Sequence, residues 1–103
     1  MIDWDKMYDQ VLDNSSSPFT RWFNGGYLNA CYNCLDRHVA KGRGNKVALI
    51  HDSPMTNVVR KVTYQELLDS TSRLAGALKK LGVKKGDRVV IYMPLIPEAI
   101  MAM

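Results

Sequence analysis

The stretch Thr63-Tyr64-Gln65-Glu66-Leu67-Leu68-Asp69-Ser70-Thr71-Ser72-Arg73-Leu74-Ala75-Gly76-Ala77-Leu78-Lys79-Lys80-Leu81-Gly82 decides the fold class. Thr63 and Glu66 stand three apart ahead of an apolar run, the spacing of a capping box. Leu67, Leu68, Thr71, Leu74, Ala75, Leu78 and Leu81 then recur at helical spacing. Lys79 and Lys80 suit the negative end of the helix dipole, and Gly82 suits the left-handed residue just past it. Downstream, Val83-Lys84-Lys85-Gly86-Asp87 reads as a turn. Arg88-Val89-Val90-Ile91-Tyr92-Met93 reads as a strand, apolar on both parities as when both faces are covered. Pro97 and Glu98 open a further helix. Upstream, 46–52 and 58–63 read as two short strands around a turn at Pro54. The resulting order is that of an α/β unit. Its final helical pattern stops at Met103 with no cap, so the expectation is the front part of a longer protein, or a shortened product.

The first 45 residues have a different character. Trp4, Met7, Tyr8, Val11 and Leu12 recur at helical spacing, which predicts a helix over 4–13 capped by Asp3 and ended by Asn14 to Pro18. Residues 19–28 read as an aromatic loop around Gly25-Gly26. A second helix is expected over 30–40, with Asn29 as N-cap and Gly42 as its left-handed terminator. Seven of the nine aromatic residues lie within the first 32. A ten-residue helix and a loop offer them no second face, so this arm is expected to pack against a larger body.

Composition narrows the function classes. With 103 residues, the chain holds one domain at most. Leu, Ile, Val and Phe supply about a quarter of it, enough for a core. The net charge of +4 lies entirely in residues 46–103 and forms no clustered stripe, so a nucleic-acid partner is not expected. No apolar run approaches a membrane span, and no membrane partner is expected. The start Met-Ile-Asp-Trp-Asp-Lys lacks a secretory pattern, and two cysteines make no disulfide framework. These points predict a cytoplasmic protein, or a mitochondrial matrix one if an upstream leader is missing.

Individual signals are weighed against ordinary structural roles. Lys41-Gly42-Arg43-Gly44-Asn45-Lys46 lacks the order of a phosphate-cradling loop and reads as a helix-to-strand turn. Cys31 and Cys34 have knuckle spacing, but no second pair completes a zinc site, so they read as small core thiols. His38 could be an acid–base group, yet Asp36-Arg37-His38 reads better as a hydrogen-bonded anchor. His51 ends a strand. Asp87, Arg88 and Glu98 read as turn, strand-entry and helix-start residues.

Ser17-Pro18-Phe19-Thr20-Arg21-Trp22-Phe23, Gly25-Gly26-Tyr27-Leu28-Asn29 and Tyr32-Asn33-Cys34-Leu35-Asp36-Arg37-His38-Val39 resemble the N-terminal region of short-chain acyl-CoA synthetases. Val47-Ala48-Leu49-Ile50, Val62-Thr63-Tyr64-Gln65-Glu66-Leu67, Gly82 through Pro94 and Ile96-Pro97-Glu98-Ala99 resemble the start of the adenylate-forming, AMP-binding domain. His51-Asp52-Ser53-Pro54-Met55-Thr56-Asn57 looks closer to propionyl-type than to acetyl-type members. The resemblance implies an α/β chain with a helical N-terminal arm over 1–45, then the first strands and helices of an incomplete AMP-binding domain over 46–103. It implies a parent ligase that forms an acyl-adenylate from ATP and a short carboxylate, then acyl-CoA, with Mg²⁺ and coenzyme A. The family's Gly-rich phosphate loop, aromatic-Thr-Glu motif, ribose-binding Asp and lid lysine are absent from this sequence. No catalytic, cofactor-binding or metal-ligating residue can therefore be assigned, and the chain by itself is expected to be inactive. The remainder of the parent enzyme is the expected partner. The alternative is a truncated binding module that associates with a full-length synthetase or another partner.

Overall fold

The computed structural model describes residues 2–103, which divide into two units, 2–37 and 38–103. Each is built around one antiparallel strand pair.

In the first unit, β1 (Gln10–Asp13) pairs with β2 (Arg21–Asn24), placing Gln10 opposite Asn24 and Leu12 opposite Trp22. An isolated bridge between Lys6 and Tyr27 extends the pairing toward the N-terminus. The helix expected over 4–13 is therefore not formed, and the arm is not helical at its start. A ten-residue helix is marginal alone, whereas residues 21–27 offer a backbone partner and aromatic neighbours. The rings of Trp4, Tyr8 and Phe23 lie 5.2–5.4 Å apart in tilted and edge-on contacts. Trp4 and Tyr8 are half-buried in this cluster and Phe23 stays 39% exposed, in keeping with the expectation that the arm does not bury its own rings. Phe19, Trp22 and Tyr27 remain exposed.

Helical backbone returns at residue 30 and continues to 43, with wide π-type turns at Tyr32–Asp36 and Val39–Arg43. Asn29 Oδ1 accepts from the Tyr32 amide at 3.0 Å, the expected N-cap. Gly42 takes φ +74°, the left-handed conformation expected where the helical run ends.

In the second unit, β3 (Val47–Ser53) and β4 (Val58–Thr63) form a hairpin with a bulge between Val47 and Leu49. Both match the expected strands. α1 (Tyr64–Lys80) begins on the expected box. Thr63 Oγ1 accepts from the Glu66 amide at 3.2 Å, and Glu66 Oε2 accepts from the Thr63 amide at 2.8 Å. At the other end, the Gly82 amide donates to the Lys79 carbonyl and the Val83 amide to the Leu78 carbonyl, a Schellman motif. α2 (Pro97–Ala102) carries proline at its start. Val62, Leu67, Ala99 and Met101 are buried here, with Val62 only 2% exposed.

Thr63→Ala is expected to destabilise α1 by about 1 kcal/mol, visible as lost helical circular dichroism in this chain. The Glu66 carboxyl is held below its ordinary range, first by the Thr63 amide and then by the Thr63 hydroxyl. Its folded-state value is depressed. The cap is therefore at full strength above the ordinary glutamate range and weakens as pH falls through the depressed value.

One expected strand is missing. Residues 88–93 belong to neither two-stranded sheet. A strand exists only where its backbone is paired, and these residues pair with neither sheet.

Candidate functional site

The residues singled out in the sequence are not brought into one constellation. Loop 41–46 serves α1. The Lys46 carbonyl accepts from the Tyr64 amide and the Gly44 carbonyl from the Gln65 amide, both at 3.0 Å. Together with the Thr63 hydroxyl, these satisfy the amides that a helix start would otherwise offer to an anion. The loop is thus the turn expected, and its carbonyls already take up the first amides of α1.

His38 is half-buried, with its ring 5.0 Å from that of Tyr64. Asp87 Oδ2 accepts from the Lys84 amide at 2.7 Å and closes the turn at Gly86, as expected. Glu98 sits at the start of α2 and pairs with Arg60 of β4 at 2.7 Å. Its carboxyl is held below the ordinary range, first by the Arg60 side chain and next by its own amide, with His51 a minor contributor. The helix position of Glu98 was legible in sequence. Its partner, 38 residues away, was not.

Cys31 and Cys34 are free and exposed, which corrects their reading as core thiols. The wide helical turn buries Leu35 and leaves both cysteines exposed. The Cys31 thiol is pushed up, first by partial desolvation and then by the nearby Asp36 carboxylate. That is the wrong direction for an activated nucleophile.

The polar centre of the first unit is a clamp that the sequence did not announce. Asn33 Oδ1 accepts from the Asp3 amide at 2.8 Å, and its Nδ2 donates to the Asp3 carbonyl at 2.8 Å and the Asn29 carbonyl at 2.9 Å. The Arg37 guanidinium lies 3.5 Å from the Asp3 carboxylate. Asn33 thus pairs with Asp3 as a neighbouring strand would. Asn33→Ala is expected to cost about 1–3 kcal/mol, because both main-chain groups of Asp3 lose their partners. The check is faster exchange of the Asp3 amide in the variant.

Two shallow grooves mark the second unit. One, of about 270 Å³, is lined by Arg60, Lys61, Glu66, Asp69, Ser70 and Arg73. Much of its charge is engaged within the chain: Arg60 with Glu98, Glu66 with Thr63, and Asp69 with Gln65 Nε2 at 2.9 Å. The other, of about 200 Å³, is apolar and lined chiefly by Leu49, Ile50, Leu95, Ile96, Ile100 and Met103, with His51 at its edge. Among the described residues, no group of three or more His, Cys, Asp or Glu side chains is placed to hold a metal ion.

Comparison with known proteins places this scaffold. Residues 1–34 match the acetyl-coenzyme A synthetase N-terminus, and residues 35–103 match the AMP-binding enzymes. The chain belongs to the AMP-binding enzyme family.

Within that family it corresponds to an N-terminal part of short-chain acyl-CoA synthetases. It is 55% identical over 102 residues to acyl-CoA synthetase short-chain family member 3, mitochondrial, of Bos taurus, and 54% identical to that of Homo sapiens. It is 52% identical over 103 residues to acetyl-coenzyme A synthetase of Cupriavidus metallidurans. These alignments take in 99–100% of this chain but only 15–16% of each relative. No helix among the described residues is long and apolar enough to cross a membrane.

Proposed function

We propose that this chain is the opening part of the scaffold of an AMP-forming ligase that joins acetate or propionate to coenzyme A. The succession of an acetyl-coenzyme A synthetase N-terminus and the start of an AMP-binding enzyme in one short chain carries this reading. ATP, Mg²⁺ and coenzyme A belong to the whole enzyme, and no catalytic, cofactor or metal residue is assigned here. The reading divides the chain at 45/46, where the first segment gives way to the hairpin and helix of the AMP-binding domain. It places the enzyme in a reducing compartment, the cytosol or the mitochondrial matrix. "Mitochondrial" stands in the names of several relatives, and both thiols here are free.

The test joins this chain to the rest of the Cupriavidus metallidurans relative. The chimera is expected to catalyse carboxylate-dependent ATP–pyrophosphate exchange, and the 103-residue chain alone to show none. Exchange by the chain alone, or a folded chimera without exchange, contradicts the proposal.

A second reading is a binding module that adheres to a full-length synthetase. The large apolar side chains left in water by both units favour it. It predicts co-purification of this chain with a whole synthetase, and a chain that never co-purifies ends it.

A further inference from the structure

Cys31 and Cys34 stand three residues apart near the start of the helical run that begins at residue 30, and both are free and exposed. Cys31 has φ −60° and ψ −48°, and the Asn33 amide donates to the Asn29 carbonyl at 3.1 Å, so this first turn is of α type. Residues three apart on such a turn are neighbours on one face. Cys34 accordingly adds to the upward push on the Cys31 thiol, after partial desolvation and Asp36. Among the described residues no third ligand joins the two sulfurs, so a zinc site is not completed. Two neighbouring, accessible thiols without a metal can still exchange with a disulfide.

The turn they bracket is also the clamp of the first unit. Asn33 lies between them in sequence, and its side-chain amide holds both main-chain groups of Asp3, 30 residues away. Helical neighbours three apart keep their β-carbons about 5–6 Å from each other, whereas a disulfide needs about 3.5–4.5 Å. Closing the bond therefore draws the turn in by about 1–2 Å. The Asn33 contacts span only 2.8–2.9 Å, and a shift of that size takes such bonds out of hydrogen-bonding range.

We propose that Cys31 and Cys34 form a reversible modification site for small-molecule disulfides such as oxidised glutathione, and that closing the 31–34 disulfide releases the Asn33–Asp3 clamp. One thiolate attacks the small disulfide, forms a mixed disulfide and releases one glutathione thiolate. The second thiol gives its proton to solvent and displaces the other glutathione as the 31–34 bond closes. The cysteine pair is oxidised by two electrons, and the small disulfide is reduced to two thiols. The closed bond is exposed and strained, so reduced glutathione reopens it. In a reducing compartment the clamp holds, and an oxidising challenge loosens it. This is independent of the reaction that the whole enzyme carries out.

The test exposes the 103-residue chain to graded mixtures of reduced and oxidised glutathione, traps free thiols by alkylation and measures the mass of the product. The expected product is a monomer that carries neither alkylating agent nor glutathione and returns to the dithiol when reduced glutathione is added. Cys31→Ser and Cys34→Ser should each stop at the glutathione adduct. In the closed form the Asp3 amide is expected to exchange about ten-fold faster than in the dithiol form, while the α1 amides keep their rate. A chain that stops at glutathione adducts, or at disulfide-linked dimers, overturns the site. A closed disulfide with an unchanged Asp3 rate overturns its control of the clamp.

Discussion

Val90→Asp is expected to leave the 103-residue chain almost unchanged and to abolish soluble, active enzyme when the same substitution is made in a whole synthetase. In the chain alone, Val90 stands in water, and exposed substitutions of this kind stay within about 0.5 kcal/mol. Between helices on both faces of a sheet, an unpaired carboxylate costs several kcal/mol, a large share of the roughly 5–15 kcal/mol that holds a domain together. Val90→Ile is the control and should be tolerated in both settings. Soluble yield and ATP–pyrophosphate exchange report the outcome. Equal tolerance of aspartate in the two settings contradicts the reading of residues 88–93 as a strand covered on both faces.

Gly26→Val is expected to dismantle the aromatic cluster of the first unit. A β-carbon at this position would lie 2.8 Å from Trp4 Cζ3, and 3.1 Å from both the Phe23 carbonyl oxygen and Tyr8 Cβ. Two of these obstacles are ring and backbone, which cannot step aside as a flexible side chain can. Overpacking of this kind costs about 1–3 kcal/mol, and the branched side chain puts Gly26→Val at the upper end. The adjacent Gly25 has φ +78°, so a side chain there is strained by the backbone, whereas the Asp9 carboxylate beside it can move away. Near-ultraviolet circular dichroism of this chain should lose its Trp4–Tyr8–Phe23 signal, while helical signal from α1 persists. An unchanged near-ultraviolet spectrum would contradict the packing described here.

Local chemistry explains which features were legible. The Thr63–Glu66 box, the left-handed glycines 42 and 82, the Asn29 cap and the proline opening α2 each depend on residues within a few positions of one another. Their side chains carry the information directly. The misread features depend on distant partners. The spacing from Trp4 to Leu12 fits a helix, but Phe23 and the backbone at 21–27 decide the matter. Asp3 with Asn33, and Arg60 with Glu98, are 30 and 38 residues apart, and no periodicity encodes such pairs. Cys31 and Cys34 were placed in a core by residue type, whereas the wide helical turn places them outside. Residues 88–93 have the composition of a strand but pair with neither sheet. Absence of a candidate active site was read from missing motifs, and that reading concerns residues the chain does not contain.

The central claim is that these residues form the front of a larger scaffold and leave much of their apolar surface for the rest of the enzyme to cover. Scanning calorimetry of the purified 103-residue chain, with a hydrophobic dye followed in parallel, tests this most directly. The expected result is strong dye binding and no single cooperative transition, with both behaviours reversed in the synthetase chimera. A compact monomer that melts in one sharp transition and leaves the dye dark would contradict the account.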